Sequence, residues 1–327
     1  MISCFTYHKT GMIKKKNMKK IREKADNLRA GRCKLPFSGG HWCCEKKMPV
    51  VNERVCTFRK GLNMQSIIQK VHVHMPYHLL PRYLPMILEH RLNLELYFNH
   101  HTLSSIDRDD CRRTAELLKD GGLKFTFHAP FVDLRPGALD DRIRKASMER
   151  IRQAFDLAQY FQPLKIVCHP SYDDRYYVNC DDLWLENSVR FWSELKGVAK
   201  DAGAAVALEN VYEKEPDILR KLMEILVDDH FCFCFDTGHF NVFSNKSLQT
   251  WIEQMGAYIG HLHLHDNFGE FDEHLPVGTA TFPFRELFTS LGELGVRPTV
   301  TLEAHRQDHL WQSLDNLQKM SLLDLLG

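Results

Sequence analysis

Imidazoles and carboxylates crowd residues 261–278: His261-Leu262-His263-Leu264-His265-Asp266-Asn267, then Phe271-Asp272-Glu273-His274-Leu275-Pro276-Val277-Gly278. These are metal-ligand types, and at neutral pH they suit zinc, manganese or iron better than magnesium or calcium. A strand period of two puts His261, His263 and His265 on one face. Only one or two of them can stand at the height of a common site. His263 is the expected ligand, His265 an additional ligand or a neighbouring donor, and His261 a structural residue. Asp272-x-His274 pairs a carboxylate with an imidazole again. So does Asp236-Thr237-Gly238-His239, where Gly238 is expected to permit a tight turn.

Such residues need rigid elements to aim them. From about residue 66, short apolar runs alternate with helical periodicity. The strand-like runs are Lys70–His74, Leu92–Phe98, Leu123–His128, Lys165–His169, Ala205–Glu209, Phe231–Asp236, Ile259–His265 and Thr299–Glu303. Helical spacing is clearest over Asp140–Phe161, where Ile143, Ile151, Ala154, Phe155, Ala158 and Phe161 share one side. Asp140-Asp141 suits the positive end of that helix dipole. Leu183–Lys200, Pro216–Val227, Phe284–Leu294 and His309–Leu326 are further helices. Eight β/α pairs predict an α/β fold, a (β/α)8 TIM barrel over residues 66–326, with parallel strands buried on both faces. A doubly wound sheet is the alternative. It would carry a glycine-rich loop after the first strand, where this chain has Met75-Pro76-Tyr77-His78.

Composition fits one domain. The chain has 327 residues, a formal net charge of +1 and 44% hydrophobic residues. No apolar run approaches the roughly 18 residues of a membrane span. Cys168, Cys232 and Cys234 lie inside apolar strands and read as buried thiols, so a reducing, cytoplasmic setting is expected. Charge is uneven: residues 1–50 hold 13 Lys+Arg against 3 Asp+Glu, and the remainder 30 against 39. Residues 1–63 are therefore expected to be a basic, disordered extension or an over-long start. Adjacent Cys43-Cys44 with Cys33 and His41 is not a zinc spacing.

In a barrel, chemistry sits at the C-terminal ends of the strands. Those ends carry His128, His169, Glu209, Asp236 with His239, His263 with Asp272 and His274, and Glu303. Desolvating nine unpaired polar groups together is costly, and divalent cations are the natural compensation. Glu209 and Glu303 are the candidate catalytic pair, able to act as acid and base across a metal.

With Phe127-His128-Ala129-Pro130, Cys168-His169-Pro170, Leu208-Glu209-Asn210, Phe235-Asp236-Thr237-Gly238-His239, Leu262-His263-Leu264-His265-Asp266, Asp272-x-His274-Leu275-Pro276-Val277-Gly278 and Leu302-Glu303, the chain resembles the xylose isomerase-like TIM-barrel superfamily. That superfamily holds sugar phosphate isomerases and epimerases and endonuclease IV. The nuclease resemblance implies three zinc ions on nine ligands: His128, His169, Glu209, Asp236, His239, His263, Asp272, His274 and Glu303. The ketose epimerase resemblance implies one metal on Glu209, Asp236, His263 and Glu303. Departures from the nuclease pattern favour the epimerases: Gly238 stands where the nuclease has Cys, and His265 where it has Asn. Gly278-Thr279-Ala280 departs mildly from the usual Gly-x-Gly. The expected function is a metal-dependent sugar or sugar-phosphate isomerase or epimerase, using one to three Mn2+, Zn2+ or Co2+ ions. The alternative is a zinc phosphodiesterase of abasic DNA, disfavoured by the acidic barrel. A carbohydrate is the expected partner, no membrane is expected, and oligomeric state is left open. Arg135, Arg175, Lys246 and Arg306 are candidate phosphate contacts.

Overall fold

A computed structural model of the chain describes residues 62–327. Residues 1–61 of the expected extension lie outside them, with Cys33, His41, Cys43 and Cys44. Eight parallel strands close into a barrel in chain order: β1 (His72–Pro76), β2 (Asn93–Tyr97), β3 (Phe125–His128), β4 (Lys165–Cys168), β5 (Ala205–Glu209), β6 (Phe231–Asp236), β7 (Ile259–Leu264) and β8 (Thr299–Leu302). Closure is the pairing of His72 with Thr301 and Val73 with Leu302. The sheet has no open edge, so the doubly wound alternative falls.

Helix α1 (Leu62–Lys70) precedes β1, and the expected boundary at residues 63–66 falls within it. Around the barrel run α2 (Leu80–His90), α3 (His100–Ser105), α4 (Arg108–Asp120), α5 (Asp141–Phe161), α6 (Asp181–Asp201), α7 (Asp217–Leu226), α8 (Thr237–Phe243), α9 (Leu248–Met255), α10 (Phe284–Glu293) and α11 (Gln307–Met320). The Asp140 carboxylate caps α5 by accepting from Arg142 N. Asn99 and Asp107 cap α3 and α4 in the same way. The expected last helix is divided at Ser321, whose φ is 50°, into α11 and a 3-10 turn over Leu322–Leu326. Strands β4, β7 and β8 each stop one residue early, so His169, His265 and Glu303 begin loops and turn toward the rim.

Two apolar compartments follow from strand alternation. The larger lies between strands and helices and includes Leu94, Leu96, Phe127, Ile166, Phe233, Leu262 and Leu302. The smaller lines one side of the barrel interior, with Val167, Ala207 and Cys234. The opposite side of the interior is polar: Glu95, Thr126, His261 and Thr301 are buried there.

A bulge in β7 sets this sidedness. Phe233 pairs with Ile259, but Cys234 pairs with His261, so Gly260 is the extra residue. A Cβ on Gly260 would lie 2.6 Å from Cys232 Cβ, and the Gly260 carbonyl accepts from the Lys165 ammonium. The extra residue leaves Ile259 among the helices while turning His261, His263 and His265 inward.

Candidate metal centre at the barrel rim

Strand ends bring all nine sequence-predicted residues into one network. Glu209 ends β5, a buried strand whose last residue meets the polar rim. Its Oε2 lies 3.3 Å from His128 Nε2 and 3.2 Å from His169 Nε2. Its Oε1 lies 3.1 Å from His239 Nδ1 and 3.4 Å from His263 Nδ1. Asp272 Oδ2 joins His239 Nε2 at 3.5 Å to His274 Nε2 at 3.1 Å. Glu303 Oε1 lies 3.2 Å from His263 Nδ1, and its Oε2 3.6 Å from His274 Nδ1.

His263 is the hub. One atom, Nδ1, faces Glu209, Asp236 and Glu303 at 3.4, 3.7 and 3.2 Å. Register contributes: His263 pairs with Asp236 on β6, and with Thr301 on β8, two residues before Glu303. Glu209 pairs with Cys234, two residues before Asp236, and the tilt and stagger of barrel strands bring the four side chains together.

The donor set fits a divalent cation. Glu209 Oε2, His263 Nδ1 and His265 Nδ1 are buried without a hydrogen-bond partner. They lie near donors and acceptors, but not in hydrogen-bond alignment with them. Ligand atoms about 2.1 Å from a shared ion sit about 3.0–3.5 Å from each other, the range seen around His263 and Glu209. Close triads recur across the site, including His128 with Glu209 and His263, Glu209 with Asp236 and His239, and His265 with His274 and Glu303.

Electrostatics agree. Burial opposes charge on Glu209, yet His263, His169 and His128 hold its carboxyl well below the usual range. Against the same burial, His263 and the neighbouring imidazoles His74 and His274 hold Glu303 down at about 2. Asp272 is also held below its usual range, because His239 and His274 outweigh burial. Burial opposes charge on His239 as well, but Asp236, Asp272 and Glu209 hold it well above the ordinary imidazole value. Burial lowers His169. In these directions the carboxylates are ionised at neutral pH and crowd one small volume, a cluster that a bound cation stabilises.

One expectation is corrected. Gly238 makes no tight turn: α8 begins at Thr237, capped by Asp236 Oδ1, which accepts from His239 N at 2.7 Å. Gly238 is needed for space. A Cβ there would lie 1.9 Å from His265 Cε1 and 2.3 Å from His265 Nδ1. The His265 ring stacks on His274 with centroids 3.9 Å apart. Its Nε2 bonds Asp236 Oδ2 at 3.1 Å, and its Nδ1 lies 3.5 Å from Asp272 Oδ1. The two departures at 238 and 265 are thus one packing arrangement. His274 adopts φ 50° to reach this stack, an uncommon conformation for a non-glycine residue.

Sequence reasoning missed two buried carboxylates. Glu213, in the loop after β5, accepts from Val211 N at 2.6 Å, and burial pushes it up to about 7. Glu95, in the middle of β2, lies beneath His263 and contacts His261 as well. Its signal was legible: a charged residue inside a strand buried on both faces has to point into the barrel. Three of the four candidate phosphate contacts have carboxylate partners. Arg175 pairs with Asp173, Lys246 with Glu215 and Arg306 with Asp308, at 3.0, 3.2 and 2.7 Å. Arg135 lies over the Tyr176 ring.

Comparison with known proteins matches this architecture. A family model described as xylose isomerase-like TIM barrel matches residues 94–320. The uncharacterised protein MJ1311 of Methanocaldococcus jannaschii is 31% identical over 188 residues, 55% of this chain and 64% of that protein. The chain thus spans under two thirds of that relative. The uncharacterised MJ1614 of the same organism is 27% identical over 63% of this chain and 80% of its own length. Among solved structures, a D-tagatose 3-epimerase-like protein superposes with TM-score 0.67 at 26% identity, covering 78% of this chain and 98% of that one. The TTHB071 protein of Thermus thermophilus, soaked with ZnCl2, gives TM-score 0.63 at 22% identity over 77% of this chain and 98% of its own. No helix among the described residues is long and apolar enough to cross a membrane.

Proposed function

Because the chain belongs to the xylose isomerase-like TIM-barrel family, we propose that it is a divalent-metal-dependent isomerase or epimerase of a sugar. The observation that carries this reading is the meeting of Glu209, Asp236 and Glu303 on one atom, His263 Nδ1. These four residues would hold Mn2+, Zn2+ or Co2+. When bound, the metal polarises the substrate carbonyl and acidifies the adjacent C–H. Glu209 and Glu303, both held ionised, then serve as base and acid. One would remove the proton beside the carbonyl; the other would take a proton from solvent and deliver it to the same carbon from the far side, and loss of the abstracted proton to solvent would restore both carboxylates. His128 and His169 steady Glu209 through its Oε2. Phe131, stacked on His169 with centroids 4.2 Å apart, walls one side.

A neutral sugar fits better than a sugar phosphate. The rim cations Arg175, Lys246 and Arg306 already have carboxylate partners. Recruiting one of these three for phosphate breaks an existing pair, and recruiting Arg135 lifts it off the Tyr176 ring. The D-tagatose 3-epimerase-like structure shares the fold at 26% identity, which supports a keto sugar.

The second reading, a zinc phosphodiesterase of abasic DNA, is favoured by the completeness of the nine-residue network, since Asp272 and His274 lie beyond the four-residue set. Against it, the His265 ring fills the volume between Asp236 and Asp272. One experiment separates them. Metal-loaded protein is expected to bind about one ion per chain and to exchange solvent deuterium into a keto sugar, with loss in Glu303→Gln. Three zinc ions per chain, with incision of an abasic duplex lost in the same variant, would overturn the isomerase reading.

A further inference from the structure

We propose that Glu95 is a positioning residue that fixes which nitrogen of His263 is offered to the metal. The inference rests on the reading of His263 as a ligand. Glu95 is fully buried and stands below the rim, outside the nine-residue set. Its Oε2 accepts from Thr126 Oγ1 at 2.9 Å, Thr301 Oγ1 at 2.9 Å and His261 Nε2 at 3.0 Å. Its Oε1 has one polar neighbour within ion-pair distance, His263 Nε2 at 2.9 Å. That pair meets at hydrogen-bond distance without full alignment, and neither atom has another hydrogen-bond partner.

The chemistry at 2.9 Å decides the tautomer. An ionised carboxylate only accepts. An unprotonated Nε2 would set its lone pair against those of Oε1, with both residues fully buried. Nε2 therefore carries the hydrogen. In neutral imidazole the lone pair is then on Nδ1, the atom that faces Glu209, Asp236 and Glu303. A carboxylate on the far nitrogen of a ligating histidine fixes its tautomer and ring orientation, and loss of such a partner commonly costs about 10–100-fold in metal affinity.

Glu95 is itself held from below. His261 Nδ1 contacts Thr299 Oγ1, which accepts from Lys165 Nζ at 3.0 Å. His261, the structural member of the histidine face, thus fixes the carboxylate that fixes His263. Polar contacts run from Lys165 at the start of β4 through the barrel interior to the rim.

Glu95→Gln keeps the shape and changes the proton logic. Three donors surround Oε2, so the amide oxygen stays there. The amide NH2 then faces His263 Nε2, which must accept, and the hydrogen moves to Nδ1. In metal-stripped protein, titration with Mn2+ or Zn2+ is expected to show Glu95→Gln binding about 10–100-fold more weakly than wild type. Thr301→Val, which removes a neutral donor from Oε2, is expected to stay within about threefold. Histidine 15N spectra, with His263 identified by His263→Gln, give a readout that activity cannot. Wild-type protein, metal-free at alkaline pH and again zinc-loaded, is expected to show the Nε2–H tautomer. A folded Glu95→Gln that binds metal as wild type does overturns the proposal. So does an Nδ1–H tautomer in wild type, a result that needs no variant to fold. Wild type that takes up neither metal overturns the functional reading instead, and the metal-free tautomer still decides the role of Glu95.

Discussion

Gly238→Ala should destabilise the metal-free protein, although alanine is the better helix former. Gly238 lies in α8, where replacing glycine by alanine ordinarily gains about 1 kcal/mol. Here the new Cβ would sit 1.9 Å from His265 Cε1, so the ring has to move. Its neighbours leave little room: His274 stacks 3.9 Å away, and Asp236 Oδ2 holds Nε2 at 3.1 Å. Overpacking of this kind costs about 2 kcal/mol, and a lost hydrogen bond to a charged group costs about 2 more. Net of the helix gain, destabilisation of about 3 kcal/mol is expected. The sign should reverse in a His265→Ala background, where the same change gains up to about 1 kcal/mol. The coupling between the two sites is then about 4 kcal/mol, far above the roughly 0.5 kcal/mol within which independent sites add. Urea midpoints of wild type, both single variants and the double variant, all in chelator, measure it. Additive effects would refute the claim that Gly238 is kept for the His265 ring.

Removal of metal should cost stability even without substrate. At free Mn2+ about 100-fold above its dissociation constant, the loaded protein gains about 2.7 kcal/mol, or roughly 5 °C in melting temperature for a domain of this size. Identical melts with EDTA and with Mn2+ would contradict the fit of the donor set. Burial raises Glu213 from 4.5 to about 7, so the folded state holds that proton more tightly than the unfolded chain. The contribution is fully present below about pH 4.5 and falls by about 3 kcal/mol as pH rises to about 7. Urea midpoints of wild type and Glu213→Gln should diverge across that window. Parallel profiles would show that Glu213 keeps its proton only as an ordinary carboxylic acid does.

The fold was readable because its cause is repetitive. The eight runs are buried on both faces and so are largely apolar, most continuously in Phe231-Cys232-Phe233-Cys234-Phe235. The rim residues were readable for the complementary reason: a polar side chain at the end of such a run has few other roles. What escaped was less repetitive. Glu95 interrupts β2 two residues before its end, and its meaning depends on His261 and His263, more than 160 residues away. Helices α3 and α4 escaped because their apolar faces are short, with Cys111, Ala115 and Leu118 the buried residues of α4. Gly238 was noticed for a conformation it does not adopt. The side chain that excludes a Cβ there, His265, opens the loop after β7, and local spacing carries no trace of it.

The bulge at Gly260 acts as a change of parity in the chain. Before it, Ile259 belongs to the helical shell; after it, His261, His263 and His265 belong to the barrel interior. Regular alternation alone would put Ile259 and His261 in the same compartment. Were Gly260 paired as a regular strand residue, with no bulge, the chain would face a choice. It could keep Ile259 outside and turn all three imidazoles into the helices, or keep the imidazoles and swing Ile259 into the barrel. The opposite facing of Ile259 and of the histidines that follow it thus depends on leaving one residue, with no side chain of its own, out of the pairing.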